Sequence, residues 1–151
     1  MFREKDYFNQ FGQKREFSLQ ADQKKAASHA LSSGQLKIID GVAGGGKSFT
    51  VGAVKLAFEA EGYRVRGMAP TGKAAENLKD VGTDAITLDK YFFDAAKGLD
   101  KLGHKDIVIC DEMGMVGSRK MARLIQEIKE SGAKLVMIGE ERQLQPIDAG
   151  G

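Results

Sequence analysis

The chain has almost no cysteine or proline and no tryptophan: among 151 residues there is one Cys, Cys110, and two prolines, Pro70 and Pro146. A lone thiol cannot close an internal disulfide or build a cysteine-based zinc site, so the disulfide-scaffold and zinc-finger classes are excluded. No apolar run approaches the ~18 residues needed to cross a bilayer, and residues 1–10 are charged, without the apolar stretch of a secretory signal. A cytoplasmic protein without a membrane partner is expected. Charge of one sign is also lacking. With 23 basic and 21 acidic side chains the net charge is +2, so any nucleic-acid contact has to be local and not a property of the whole surface. Hydrophobic residues at 42% and charged residues at 29% fit a folded globular chain and exclude a disordered or fibrous one. The length suits one domain with a core and is too short for two of ordinary size.

What the chain does have is glycine, 19 residues of it, and short apolar runs at Leu36 to Ile39 and residues 65–69, 107–110 and 135–138. Each run has apolar neighbours in succession, as strands buried on both faces require, and Pro70 and Pro146 each follow a short apolar segment and read as exits from strands. The intervening segments read as helical. Residues 21–32 precede the first strand, and residues 47–60 follow it, with Val51, Val54, Leu56 and Phe58 as apolar surface and Gly62 as the stop. Residues 118–130 carry Met121, Leu124, Ile125 and Ile128 at helical spacing, with Ser118 as N-cap and Gly132 just past the end. This alternation predicts an α/β fold, a parallel β-sheet with helices on both faces. Cys110 is expected to be a small core residue. Residues 1–18, with Phe2, Tyr7, Phe8, Phe11 and Phe17 among charges, read as an N-terminal extension, and residues 19–151 as the folded lobe.

The strongest chemical signal is Gly41-Val42-Ala43-Gly44-Gly45-Gly46-Lys47-Ser48, a full G-x-x-x-x-G-K-[ST] pattern after a predicted strand and opening a predicted helix. Glycines let the backbone turn tightly and aim successive N–H groups at phosphate oxygens, and the helix N-terminus favours negative charge. A chance match in such a chain is on the order of one in a hundred, and the strand–loop–helix context lowers it further. ATP with Mg²⁺ is the expected cofactor, held by Gly41, Val42, Ala43, Gly44, Gly45, Gly46, Lys47, Ser48 and Phe49, with Lys47 reaching the β- and γ-phosphates and Ser48 on the metal. The second signal is Ile107-Val108-Ile109-Cys110-Asp111-Glu112, a buried strand with two acids at its carboxyl end, where open α/β sheets bind ligands. Asp111 is the expected outer support for Mg²⁺. Glu112, one residue on, is placed to orient and deprotonate the water attacking the γ-phosphate.

With these motifs the chain resembles the superfamily 1B DNA helicases, and within them the RecD-like motor of TraA-type conjugative relaxase-helicases, from about residue 17 to Gly151. Leu19-Gln20-Ala21-Asp22-Gln23 resembles the family's adenine-reading Q motif, which implies that Gln23 contacts the base; its amide can donate and accept at once. Ala69-Pro70-Thr71-Gly72-Lys73-Ala74-Ala75 resembles motif Ia, implying single-stranded DNA contacts by Pro70, Thr71, Gly72 and Lys73. Asp111-Glu112-Met113-Gly114-Met115-Val116 resembles the extended acidic motif. Gly139-Glu140-Glu141-Arg142-Gln143-Leu144-Gln145-Pro146 resembles motif III, which implies a catalytic, coupling role for Gln143 at the γ-phosphate or the attacking water. The resemblance therefore implies a RecA-like lobe that binds ATP and Mg²⁺, contacts single-stranded DNA, and works with a second RecA-like lobe in 5′-to-3′ translocation during conjugative transfer or repair.

The chain departs from that pattern in three places. Motif III normally begins Gly-Asp, and Gly139-Glu140 stands here. Thr87-Leu88-Asp89-Lys90 occupies the place of a Thr-(Ile/Leu)-His-Ser motif that contacts DNA, so Asp89 sets a negative charge near phosphates and lowers the expected affinity. The second lobe and its arginine finger are not found in the 151 residues, nor is a relaxase site of paired tyrosines and three histidines, since His29 and His104 are the only histidines. Arg119 and Arg123, one helical turn apart, read as a solvated face or as an extension of the DNA track. The rival readings are a nucleotide-binding module without turnover, and a P-loop ATPase from outside the helicases. A turnover assay tests the first of these, and single-stranded DNA binding the second.

Overall fold

The computed structural model describes residues 34–39 and 46–138, apart from the side chains of Lys47 and Met113. The expected extension 1–18, the helix at 21–32, Gln23, residues 41–45, Glu140, Gln143 and Pro146 lie outside the described residues. Within them the order is β1 (Leu36–Ile39), α1 (Gly46–Ala60), β2 (Arg64–Ala69), α2 (Gly72–Asp80), β3 (Ala85–Thr87), α3 (Leu88–Ala96), β4 (Asp106–Cys110), α4 (Ser118–Ser131) and β5 (Lys134–Ile138), with a single 3₁₀ turn at Met113–Met115.

The five strands form one parallel sheet in the order β1-β5-β4-β2-β3. Right-handed crossovers then dictate which face each helix covers. From β1 to β2 and on to β3 the chain moves across the sheet in one direction, and from β3 to β4 and β5 it returns, so α1 and α2 belong on one face and α3 and α4 on the other. The two cores agree. Val51 of α1 and Ala74, Ala75 and Leu78 of α2 pack with Val65, Ala69, Ile107, Ile109, Val136 and Ile138. Leu88, Tyr91 and Phe92 of α3 and Met121, Leu124, Ile125 and Ile128 of α4 pack with Met68, Val108, Cys110, Leu135 and Met137. Successive strand residues go to opposite helical layers, which is why β4 and β5 read as near-continuous apolar runs, whereas β1 at the sheet edge leaves Lys37 exposed and β2 carries Arg64 and Arg66. The α/β architecture, a parallel sheet with helices on both faces, is therefore as expected.

Three local expectations need correction. The cap of α4 is Gly117, which makes no side-chain capping bond, and Ser118 is the first helical residue. Burial of four apolar side chains contributes gross stabilisation of roughly 6–12 kcal/mol, against about 1 kcal/mol for a missing cap, so packing sets where this helix starts. Its far end is as expected, with Gly132 in the left-handed conformation at φ 75°. Leu56 was expected to supply packing surface on α1; it is exposed at 72%, while Val51 is buried and Val54 and Phe58 are partly buried against the core. Finally, β3 and α3 were not separated in the sequence. Thr87 ends the strand and caps the helix, its Oγ1 accepting the Lys90 N–H at 3.1 Å.

Candidate nucleotide and DNA site

Because all five strands are parallel, their carboxyl ends share one edge of the sheet, and the segments carrying the predicted chemistry leave from that edge. β1 leads toward α1, whose first turn holds Gly46, Lys47, Ser48 and Phe49. Ser48 is exposed, and no acidic residue stands in that first turn, so the positive end of the helix is not offset by its own side chains. The Phe49 side chain is 80% exposed. What Phe49 can offer an anion is therefore its backbone N–H. β4 ends at Cys110 and delivers Asp111 and Glu112 to the same edge, with β5 lying between β1 and β4. The chains leaving β1 and β4 turn to opposite faces, a division that opens a crevice at the carboxyl ends of an α/β sheet.

Asp111 and Glu112 differ although they are neighbours. Asp111 is fully buried, its N–H donates to the Met68 carbonyl at 3.4 Å, and its Oδ1 accepts the Glu112 N–H at 2.8 Å. Glu112 is half-buried and has φ 60°, the one positive φ of a non-glycine residue among the described residues. A left-handed backbone at a side chain of this size costs on the order of 1–3 kcal/mol and persists where the surroundings enforce it, typically at functional sites. Here the enforcing contacts are the Asp111 carboxylate on its N–H and the 3₁₀ turn, in which the Met115 N–H donates to the Glu112 carbonyl at 2.9 Å. The strand ends at this kink, with Asp111 buried and Glu112 partly exposed. No sequence signal announced it. Cys110 is the buried core residue expected, its thiol pushed up to about 12 by burial and by the Asp111 charge.

The ends of β2 and β3 complete the edge. Thr71 caps α2, its Oγ1 accepting the Ala74 N–H at 3.1 Å, and Gly72 and Lys73 form the exposed first turn beside half-buried Pro70. Thr71 still has its hydroxyl proton to donate. Lys73 makes no ion pair among the described residues. At the start of α3, Asp89 is exposed and its Oδ1 lies 2.9 Å from Lys120 Nζ of α4. Arg119 is exposed, whereas the Arg123 guanidinium sits over the Phe92 ring at 4.4 Å, a packing role that its place on a polar helix face did not reveal.

The oxygen donors fit a hard cation that arrives with its own phosphates. Among the described residues no group of three or more His, Cys, Asp or Glu could hold a metal; the hydroxyl of Ser48 and the carboxylate of Asp111 would match in number and kind the one or two protein ligands that Mg²⁺ takes in phosphate sites. Two cavities lie elsewhere. One of about 220 Å³ sits among Arg64, Arg66, Asp84 and Asp100 at the amino ends of β2 and β3, and one of about 470 Å³ lies between the end of α3 and α4. Neither contains a residue of the predicted site. No helix among the described residues is long and apolar enough to cross a membrane.

Residues 18–151 match the family model described as AAA domain. The chain is 42% identical over 133 residues to the probable conjugal transfer protein TraA of Sinorhizobium fredii, covering 87% of this chain and 12% of that protein. It is 32% identical over 136 residues to the ATP-dependent RecD2 DNA helicase of Deinococcus radiodurans, covering 86% and 19%. With the multifunctional conjugation protein TraI of Escherichia coli the figures are 31% over 137 residues, 84% and 8%. The chain thus spans a small part of the length of these relatives. It belongs to the AAA domain family and is similar, over most of its own length, to a RecD-like superfamily 1 helicase lobe.

Proposed function

We propose that this chain is the ATP-binding lobe of a DNA helicase that moves 5′-to-3′ on single-stranded DNA in conjugative transfer or repair, acting with a second RecA-like lobe in cis or in trans. The observation that carries the reading is the convergence of the α1 first turn, with Ser48, and of Asp111 and Glu112 on the carboxyl edge of one parallel sheet. In this reading Gly41 to Gly46 and the first turn of α1 cradle the triphosphate with backbone N–H groups, and Lys47 meets the β- and γ-phosphates. Ser48 and Asp111 hold Mg²⁺, which neutralises the charge on those phosphates. Gln23 reads the adenine, Glu112 takes the proton of the attacking water, and Gln143 links the γ-phosphate to the grip on DNA. Pro70, Thr71, Gly72 and Lys73 bind the DNA backbone through the α2 N-terminus and the Lys73 ammonium. The protein works in the cytoplasm.

The arginine finger that speeds phosphoryl transfer comes from the other lobe and is typically worth ~10³ to 10⁵ in rate. The 151-residue protein tested alone is therefore expected to bind Mg-ATP, to bind single-stranded DNA weakly, and to hydrolyse ATP barely above background. Adding a second lobe should raise turnover. DNA-stimulated turnover of several per second by the monodisperse chain, or any duplex unwinding, would show a complete motor. No turnover even with a competent second lobe would favour a nucleotide-binding module without catalysis.

A further inference from the structure

The first turns of α2, α3 and α4 follow the carboxyl ends of β2, β3 and β4, so they share one rim of the molecule. Five basic residues stand on it or one turn below: Lys73, Lys90, Arg119, Lys120 and Arg123. Their engagements differ. Lys90 is paired with Asp94 on its own helix at 3.0 Å, and Arg123 is stacked over Phe92. Lys73 and Arg119 make no ion pair among the described residues. Lys120 is held from a different helix by Asp89 at 2.9 Å. Asp89 is also the one acidic residue in the first turn of any of the four helices.

We propose that Asp89 is a built-in competitor for nucleic-acid phosphate: it occupies the Lys120 ammonium until a phosphodiester displaces it, and so sets how tightly this rim grips a single strand. The proposal rests on the DNA-binding reading above and adds to it a residue that restrains the grip. The pair is suited to displacement because its side chains are 68% and 43% exposed. Such surface pairs are weak and are screened by salt. The alternative role of Asp89, favouring the α3 dipole, does not need Lys120, whereas the observed carboxylate reaches across to α4. A single strand is the favoured ligand over a free phosphate because Phe93, one turn along α3 from Asp89, has its ring 57% exposed with the Lys97 ammonium 4.2 Å from its centroid. An exposed aromatic among cations offers a base a stacking face beside the phosphate contacts.

The test is fluorescence anisotropy of a labelled oligothymidylate titrated with the full 151-residue protein at several salt concentrations, for wild type, Asp89→Asn, Lys120→Gln and the double variant. Asp89→Asn should tighten binding about fivefold at low salt. It should also steepen the dependence of log affinity on log salt by up to about 0.7, one phosphate on a single strand. In the Lys120→Gln background the same change should bring little gain. Unchanged binding in Asp89→Asn overturns the proposal and leaves the DNA reading standing; an equal gain with and without Lys120 also overturns it, since general repulsion would then account for the effect. If neither wild type nor any variant binds the oligonucleotide at low salt, the DNA reading itself falls, and this inference with it. Asp89→Ser serves as a second removal of the charge if Asp89→Asn melts early; Phe93→Ala should weaken oligonucleotide binding severalfold, and unchanged affinity in that variant would refute the choice of ligand.

Discussion

β4 begins with one aspartate, Asp106, and is followed directly by another, Asp111, and the two are treated differently. At the amino end Asp106 accepts Arg64 Nε at 2.6 Å, a second Arg64 nitrogen at 3.0 Å and the Gly103 N–H at 2.8 Å. Next to it Arg66 grips Asp100 through two bonds of 2.9 and 2.6 Å. These charges are paired with one another: the Asp106 carboxylate beside Arg64 raises the guanidinium above its ordinary range, and the Arg66 guanidinium holds the Asp100 carboxyl below its own. Just past the carboxyl end of the same strand Asp111 is buried and accepts the Glu112 N–H, and Glu112 is half-buried with a left-handed backbone. Lys73 and the first turns of α1, α3 and α4 lie at the same edge of the sheet. One end of the sheet satisfies its charges internally and gives stability. The other is the end where parallel strands bind ligands in α/β proteins, and under the proposed function it takes the nucleotide.

That division can be broken by substitution at either end. The largest effect is expected at Glu112. With a second lobe supplied, Glu112→Gln should lower turnover by roughly 10² to 10⁴, the usual contribution of a general base, and leave ATP affinity as it was. Equal hydrolysis by both forms in a steady-state assay would place the base elsewhere. Next is Asp106→Ala, which removes charged hydrogen bonds from a buried site. It should cost about 2–3 kcal/mol in urea unfolding without changing ATP affinity; a loss of nucleotide binding in a folded variant would mean that the two ends are not separate in function.

The smallest effect concerns acid. Since Asp100 has its pKa lowered from 3.8 in the folded protein, chiefly by the Arg66 hydrogen bonds, its contribution is present above the unfolded value and is lost as pH falls through the folded one. Stability of the wild type should therefore fall on acidification below about pH 3.8 more steeply than that of Asp100→Asn. Identical acid limbs in thermal unfolding would show that this pair adds nothing.

What could be read from the sequence follows the same physical divide. β2, β4 and β5 send buried side chains to both helical layers, while β1 at the sheet edge leaves Lys37 exposed, against the expectation of burial on both faces; all four still announce themselves as apolar-rich runs within one residue of their observed limits. β3 has three residues, two of them half-exposed, and is a strand because β2 pairs with it, a tertiary cause that no local pattern carries. Leu56 fits a helical apolar count but falls on the outer side of α1. At the site, Ser48, Asp111, Glu112 and Thr71 to Lys73 were legible because motif spacing fixes their place relative to strand ends. The Glu112 backbone and the Asp89–Lys120 pair were not: the first depends on the turn that follows, and the second joins helices that meet only in the folded chain.

The central claim is that the carboxyl edge of this sheet binds Mg-ATP through the segment ending in Lys47 and Ser48. Its most direct test is calorimetric titration of the 151-residue protein with Mg-ATP, in wild type and Lys47→Ala. The account predicts saturable binding that the substitution weakens at least tenfold, about 1.4 kcal/mol. Equal affinity in the two proteins would contradict it.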